Sequence, residues 1–221
     1  MTELWITLGL GFALGLRHAL DADHLVAVTT LLSEEKHPVK GALVGTFWGI
    51  GHTTSLFIAG LLVLLLNITI PADISAILEA CVGLMLILLG FRAFWLVKNQ
   101  SVHTHIHKHD GQEHEHLHAN HRHQHGRPFL IGALHGLAGS GGLMVLVLST
   151  IKDLTQGIVY ILVFGIGSVV SMTIISFLIG LPYLLTVNKI SRFEMYLKTA
   201  AGLMSIFFGI VLISDYFAAG R

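Results

Sequence analysis

Apolar residues form long uninterrupted stretches along this chain, separated by short segments that contain charges, Pro or Asn. A transmembrane helix needs about 20 apolar residues to cross roughly 30 Å of hydrocarbon. Six stretches reach that length, and none shows the strict alternation of polar and apolar positions that indicates a strand. The pattern predicts six membrane-spanning helices, at residues 4–32, 39–66, 74–97, 129–151, 157–187 and 196–217.

The composition agrees with a chain that has lipid as its solvent. Only 12% of the 221 residues are Asp, Glu, Lys or Arg and 53% are hydrophobic, whereas a soluble domain has about 25% charged residues. Thirteen basic residues balance thirteen acidic ones, so no net charge would attract nucleic acid. These values argue against a soluble enzyme and predict an all-α polytopic protein of the lipid bilayer.

The Lys and Arg residues indicate how the spans are oriented, because basic loops remain on the cytoplasmic side. Almost all of them lie at or beyond the ends of the first, third and fifth predicted spans. Apart from Arg17, which lies within the first span, only Lys152 and Arg221 lie elsewhere. We therefore expect a multi-pass protein of the plasma (inner) membrane, with both termini outside and the loop after the third span cytoplasmic.

The two halves of the chain are related in sequence. Three short segments of the first half match three of the second, in the same order, at residues 16–20 and 133–137, 49–56 and 165–172, and 83–90 and 202–209. Small residues that pack helices together also produce glycine patterns in membranes, but three ordered matches favour an internal repeat. Each half has three predicted spans, an odd number, so the two repeats must be inverted. Inverted repeats are typical of secondary transporters, whose site lies near the midplane between the halves.

Ionisable residues are concentrated in the middle of the first predicted span, where Arg17, His18, Asp21, Asp23 and His24 interrupt an apolar sequence. A charged side chain at a helix centre costs about 2.5 to 3.5 kcal/mol on insertion scales, so these groups must face protein, water or an ion. Arg17 and Asp21 could neutralise each other at i, i+4, but that pair leaves Asp23 and both histidines unexplained. Imidazole and carboxylate ligands suit Ni(II), Co(II), Zn(II) and Cu(II). His18, Asp21, Asp23 and His24 are therefore candidate metal ligands.

A regular helix does not direct all of these side chains towards one ion. His18 and Asp21 lie about 60° apart around the helix, as do Asp21 and His24, whereas Asp23 points about 140° away from His18. Either the helix is locally unwound, as in the discontinuous helices of transporters, or one of these residues acts through another. No Gly or Pro between Arg17 and His24 marks a break, so the sequence leaves both alternatives open.

Two further spans contain histidines beside small residues. His52 follows Gly51 near the centre of the second span and could reach the depth of His18, or could only form a hydrogen bond between helices. We include His52 among the candidate ligands. His135 precedes residues 136–142, a run too rich in glycine for a stable helix interior, which predicts a break in the fourth span. His135 and Ser168 are lower-tier candidates for metal binding or the ion pathway, with close packing as the alternative.

Two motifs resemble those of the nickel/cobalt transporter (NiCoT) superfamily. Residues 18–24 (HALDADH) resemble its H-x4-D-H signature, and residues 51–54 (GHTT) are similar to its G-H-[ST]-[ST] motif in the next span. The chain lacks the L-G-x-D-T-A-T-E motif and the extra spans of the longer bacterial nickel permeases. With residues 135–139 (HGLAG), it looks like the shorter UreH-type urease accessory membrane proteins. The resemblance implies nickel uptake that supports a cytoplasmic urease, with metal bound by His18, Asp23, His24 and His52.

A histidine-rich loop at residues 98–128 separates the predicted three-helix repeats at 1–97 and 129–221. The tract cannot bury a core and is predicted to be disordered. Its imidazoles would bind Ni, Zn, Co or Cu loosely and only in the neutral form, so its affinity should fall below about pH 6.5. It would buffer or relay metal, and an inert linker is the alternative. The histidines of this tract are His103, His105, His107, His109, His114, His116, His118, His121, His123 and His125.

Together these features predict a secondary transporter that carries divalent nickel, with cobalt as a second candidate ion, and that has no tightly bound cofactor. Uptake for urease or another nickel enzyme would make cytoplasmic urease maturation proteins its partners. Two alternatives stay open: a nickel/cobalt efflux permease, and a membrane metal chaperone for urease assembly. An enzyme of the desaturase kind would need several histidine boxes at one membrane face, which the unpatterned loop does not supply, so we expect no enzyme.

Overall fold

The computed structural model describes residues 2–33, 35, 37–66, 68, 71–99, 126–137, 151, 153–186 and 191–218. The ten histidines between residues 103 and 125 lie outside the described residues, and so do residues 138–150 of the predicted fourth span. The described part of the chain is all-helical. Its seven helices are α1 (Thr2–His18), α2 (Ala22–Leu32), α3 (Pro38–Leu66), α4 (Ala72–Asn99), α5 (Gly126–Leu137), α6 (Leu154–Thr186) and α7 (Ser191–Ala218).

Four of these helices are long and apolar enough to cross a membrane. They are α3, α4, α6 and α7, which agree with the second, third, fifth and sixth predicted spans. Large apolar side chains on their outer faces are exposed, among them Leu62, Ile174 and Phe207. A helix that is apolar on all sides needs an apolar environment on all sides. The length of these helices and their exposed apolar faces make this a membrane protein.

The first predicted span is divided into two helices. α1 ends at His18, a turn follows, and α2 begins at Ala22 after Asp21, whose backbone is extended with φ −61° and ψ 145°. The N–H groups of Leu20 and Asp21 donate to the carbonyl oxygens of Arg17 and His18 at 2.8 and 3.1 Å. Such i to i−3 bonds tighten the last turn of a helix and use its terminal carbonyls. The structure therefore contains the unwound helix, which is one of the two alternatives that the sequence left open.

The helices pack in four close pairs: α3 with α6, α4 with α7, α3 with α5, and α1 with α6. Glycines bring α3 and α5 into backbone contact. A Cβ atom at Gly51 of α3 would overlap the carbonyl of Phe129 in α5, and one at Gly132 of α5 would overlap the carbonyl of Trp48 in α3. Small residues allow this close approach where helices associate within lipid. α3 therefore lies between α5 and α6 at the centre of the molecule.

Hydroxyl groups join the packed helices inside this apolar bundle. Ser171 of α6 donates to the carbonyl oxygen of Leu16 in α1 at 2.9 Å, and Ser205 of α7 donates to that of Leu86 in α4 at 2.6 Å. The hydroxyls of Thr46 in α3 and Thr173 in α6 lie 2.9 Å apart. Interhelical hydrogen bonds of this kind contribute about 0.6 to 2 kcal/mol each in a membrane. The bonds of Ser171 and Thr46 hold α1, α3 and α6 in register around the break in the first span, and the bond of Ser205 joins α7 to α4.

Candidate metal centre

The end of α1 brings His18 against His52 in the middle of α3. Their Nε2 atoms lie 3.1 Å apart, and His18 Nδ1 lies 3.0 Å from a carboxylate oxygen of Asp21. A carboxylate only accepts hydrogen bonds, so His18 Nδ1 donates to Asp21 and the lone pair of His18 is on Nε2. His52 Nε2 then donates to His18, which leaves the His52 lone pair on Nδ1. The unwound turn thus orients His18 through Asp21.

The first turn of α2 connects both halves of the chain through one carboxylate. Asp23 accepts a hydrogen bond from His24 Nδ1 at 3.0 Å through one oxygen, and from His135 Nε2 at 2.9 Å through the other. His135 belongs to α5 in the second half. Because both imidazoles donate to the carboxylate, the lone pair of each neutral ring is on its other nitrogen.

Four imidazoles and the Asp23 carboxylate therefore form one group, which we call the histidine cluster (His18, Asp23, His24, His52 and His135). Its four histidines are at most 2% exposed. The ring of His24 lies in the middle, with centroid separations of 4.5 Å to His18, 4.9 Å to His52 and 4.3 Å to His135. Two triads within the cluster, His18/His24/His52 and Asp23/His24/His135, have ligand atoms within 4.8 Å of one another.

Hydrogen bonds inside the cluster do not satisfy all of its nitrogens. Among the described residues, His24 Nε2, His52 Nδ1 and His135 Nδ1 are buried and have no hydrogen-bond partner. The tautomers selected above give each of these nitrogens a lone pair and no proton. Burying an acceptor without a donor is costly, whereas a cation bound to such a nitrogen would satisfy it. The chemistry of the cluster is therefore that of a site for a positive ion.

The spacing of the nitrogens suits a transition metal. Tetrahedral coordination at about 2.0 to 2.1 Å from each nitrogen places neighbouring ligand atoms about 3.3 Å apart. The Nε2 atoms of His18 and His52 lie 3.1 Å apart, close to that value, and both can bind an ion when the proton of His52 moves from Nε2 to Nδ1. Imidazole ligands favour nickel, cobalt, zinc and copper over magnesium and calcium, which prefer oxygen. The cluster can bind such an ion after small side-chain movements.

Two aromatic rings enclose the cluster, and the sequence interpretation missed both. The Trp48 ring lies 5.5 Å from His24 and 5.7 Å from His135, and the Phe164 ring lies 5.5 Å from His18. Both aromatic side chains are 1% exposed. Trp48 precedes His52 by four residues, so both lie on one face of α3, and this spacing is the signal that could have identified it. The rings shield the imidazoles from lipid and water.

The other candidate residues lie at the edge of the cluster or outside it. Asp21 belongs to neither triad, and its side chain is 44% exposed. It pairs with His18 and not with Arg17, so the i, i+4 neutralisation is not present among the described ion pairs. The buried Ser168 hydroxyl contacts the carbonyl oxygens of Gly15 and Phe164 at 3.2 and 3.1 Å and thus joins α1 to α6. The structure therefore brings His135, but not Ser168, to the other candidate ligands.

Comparison with known proteins identifies the family of the chain. The family model described as NicO, high-affinity nickel-transport protein, matches residues 4–133, more than half of the chain. The chain belongs to the NicO family. The resemblance that the H-x4-D-H and G-H-T-T motifs indicated is thereby confirmed, and the matched segment of this NicO protein contains every member of the histidine cluster except His135.

Individual relatives of this NicO protein cover different shares of it. It is 37% identical over 208 residues to the urease accessory protein UreH of Bacillus sp. (strain TB-90), which covers 94% of the chain and 90% of that protein. It is 27% identical over 219 residues to the chloroplast protein FOR GROWTH AND FERTILITY 2 of Arabidopsis thaliana, and this match covers 98% of the chain and 58% of that protein. It is 25% identical over 115 residues to the high-affinity nickel transport protein of Cupriavidus necator, and this match covers 42% of the chain and 32% of that protein. No solved structure matches the chain.

Proposed function

We propose that this NicO protein carries divalent nickel across the plasma membrane into the cell, where it supplies urease or another nickel enzyme. The observation that carries the proposal is the histidine cluster: imidazoles buried at an unwound membrane helix, with three lone pairs that lack donors among the described residues. The family match and the similarity to a urease accessory protein support nickel as the cargo and urease as its destination. Cobalt is the second candidate ion because the same ligands suit it.

The proposed ligands are His18, His24 and His52, with Asp23 and His135 beside them. Asp21 is proposed as a positioning residue, because its bond to His18 Nδ1 keeps the lone pair of that ring on Nε2. Outer partners of this kind fix the tautomer and the orientation of metal-binding histidines. Asp23 supplies negative charge within the membrane, which offsets part of the charge of a dehydrated cation.

The proposed architecture is six spans in two inverted repeats. In this arrangement α1 and α2 form the first span, and α5 begins the fourth. The pairing of helices supports it: α1 packs on α6 of the other half, and α5 packs on α3. The contacts correspond residue by residue, since Gly51 meets the Phe129 carbonyl and Gly167 meets the Phe12 carbonyl. Gly51 and Gly167 match in the repeat alignment, and Phe12 and Phe129 match at the spacing of residues 16–20 and 133–137.

The proposed topology has both termini outside and the histidine-rich loop in the cytoplasm. The distribution of Lys and Arg supports it through the positive-inside rule. In this orientation the loop histidines receive nickel that leaves the membrane and buffer it near urease maturation proteins. Its imidazoles would hold the ion weakly enough to pass it on.

The test is nickel accumulation by cells that depend on a nickel urease, grown with trace nickel. His52→Ala should abolish radiolabelled nickel uptake and urease activity, because it removes one ligand and the partner of His18. Thr54→Ala is the matched control: Thr54 is exposed two residues further along α3 and bonds only to its own helix, at the Ile50 carbonyl. Unchanged uptake by His52→Ala, at equal amounts of protein in the membrane, would refute the site. Increased nickel tolerance on expression of the unaltered protein would indicate efflux instead of uptake.

A further inference from the structure

We propose that the histidine cluster contains two overlapping ion sites, one towards each membrane face, which share His24 and pass a single ion between them. This inference rests on the proposed function and adds to it a route for the ion. The first site consists of His18, His24 and His52, and the second of Asp23, His24 and His135. Each set of ligand atoms lies within 4.8 Å.

The position of His24 between the other rings is the first observation for sharing. Its centroid lies 4.3 to 4.9 Å from the three other imidazoles, whereas the His52 and His135 centroids lie 5.9 Å apart. His24 Nδ1 donates to Asp23, and its buried Nε2 has no partner among the described residues. A bound ion can therefore stay on His24 while the other ligands of the ion are exchanged.

The two aromatic rings place the sites at different depths. Phe164 lies against His18 of the first site, and Trp48 lies against His135 of the second and against the shared His24. α3 and α6 are antiparallel, since Gly45 lies beside Ser176 and Thr53 donates to the Gly165 carbonyl.

The depth difference follows from this register. Gly165 of α6 lies level with Thr53 of α3. Phe164 is the residue before Gly165, and Trp48 lies five residues before Thr53. Because the two helices run in opposite directions, the two aromatic residues are about six residues apart, or about 9 Å, along the helix axes. The ion sites lie between these two rings, one beside each.

The repeat relates the two sites to each other. His18 and His135 match in the alignment of residues 16–20 with 133–137, and Trp48 matches Phe164 at the spacing of residues 49–56 and 165–172. Each site thus contains a histidine from the first span of one repeat, covered by an aromatic ring from the second span of the other. Inverted repeats place equivalent groups on opposite sides of the membrane midplane.

The consequence is a direction for the ion. In the proposed topology α6 enters from the outside and α3 from the cytoplasm, so the Phe164 side faces out and the Trp48 side faces in. Incoming nickel binds His18, His24 and His52 first, then exchanges His18 and His52 for Asp23 and His135 while it remains on His24. Because both sites need His24, the chain holds one ion at a time.

The experiment is Co²⁺ titration of the purified full-length protein in detergent, followed by the d–d absorption bands, which depend on the ligand set. The unaltered protein should bind one Co²⁺ per chain. His52→Gln should also bind one, with the spectrum of the Asp23/His24/His135 site. His135→Gln should bind one Co²⁺ with a different spectrum, that of the His18/His24/His52 site. Asp23→Asn should give the same result, because it alters another ligand of the Asp23/His24/His135 site. His24→Gln should lose saturable binding, and Thr54→Ala should match the unaltered protein.

Three results would overturn the shared-site proposal. Two Co²⁺ per unaltered chain would mean independent sites. A common loss of binding in His52→Gln and His135→Gln, with both variants folded by thermal unfolding, would mean one composite site. Identical spectra for these two variants would mean that the residues do not define separate sites. Nickel flux into proteoliposomes tests the proposed function separately. Two different spectra in the variants, without nickel flux in the unaltered protein, would refute transport and retain the shared sites. Nickel flux together with a single spectrum would retain transport and refute the shared sites.

Discussion

At the scale of single residues, the two carboxylates near the break have different roles. Asp23 accepts hydrogen bonds from His24 and His135, which belong to different halves of the chain. The Asp21 carboxylate contacts only His18 among the bonds described, and the Asp21 side chain is partly exposed. A carboxylate between two imidazoles can both bind a cation and balance its charge, whereas one behind a single imidazole can only orient that ring.

This difference predicts unequal effects of neutralising the two residues. Asp21→Asn should weaken nickel binding by about tenfold, the lower end of the range for outer partners of metal ligands, because the amide oxygen can still accept from His18. Asp23→Asn should weaken binding considerably more, since it removes a charge from the interior of the cluster. Nickel titration of both purified variants measures this, and equal losses would contradict the assignment.

Trp48 supports the cluster by packing. Trp48→Ala should lower the free energy of unfolding by about 3 to 5 kcal/mol, as expected for a buried aromatic residue, and should reduce nickel uptake because water reaches His24 and His135. Trp48→Phe should restore much of both. Trp95→Ala is the matched control because Trp95 of α4 is 59% exposed. Thermal unfolding and uptake are the measurements, and similar effects at both positions would argue against a role for Trp48.

At the scale of helices, the break between α1 and α2 assembles the site. A continuous helix would point Asp23 about 140° away from His18, whereas the unwound turn lets α2 begin beside α5. The small residues of α3 complete the arrangement, since Gly51 and Gly132 bring α3 and α5 into backbone contact. The positions of His52 and His135 therefore depend on helix contacts that lie outside the cluster.

Gly51→Ala tests this dependence. The added methyl group would overlap the Phe129 carbonyl, push α5 from α3 and destabilise the protein by about 1 to 3 kcal/mol, the usual cost of overpacking. Gly9→Ala should be neutral or slightly stabilising, because no atom lies within 4 Å of the new Cβ. The two variants should differ in thermal unfolding and in nickel uptake. A fully stable and active Gly51→Ala variant would show that the contact does not position the histidines.

At the scale of the whole molecule, the proposed transport path and the histidine-rich loop are separable. The described members of the cluster belong to α1, α2, α3 and α5, outside the loop. Deleting residues 101–125 should therefore preserve most of the nickel flux into proteoliposomes, and urease activity should recover when nickel in the medium is raised. Complete loss of urease activity at high nickel, with the truncated protein present in the membrane, would favour a metal chaperone over a transporter.

The sequence by itself determined the lipid environment, four of the spans and most of the candidate ligands. Long apolar stretches are readable because the length of a span is set by the bilayer, and charged groups within them are rare and costly enough to mark a site. The proposals of an inverted repeat, both termini outside and a cytoplasmic histidine-rich loop also come from sequence, and they remain predictions.

Only the tertiary structure decided where the first span is unwound and which side chains meet. No Gly or Pro marks the turn before α2, and Asp21 adopts its extended conformation in a context where its carboxylate bonds to His18. The inclusion of His135 and the enclosure by Trp48 and Phe164 depend on contacts between residues of different helices, in pairs that periodicity does not specify. A sequence pattern reports the face and depth of each helix, but the partners of a side chain follow from how the helices pack.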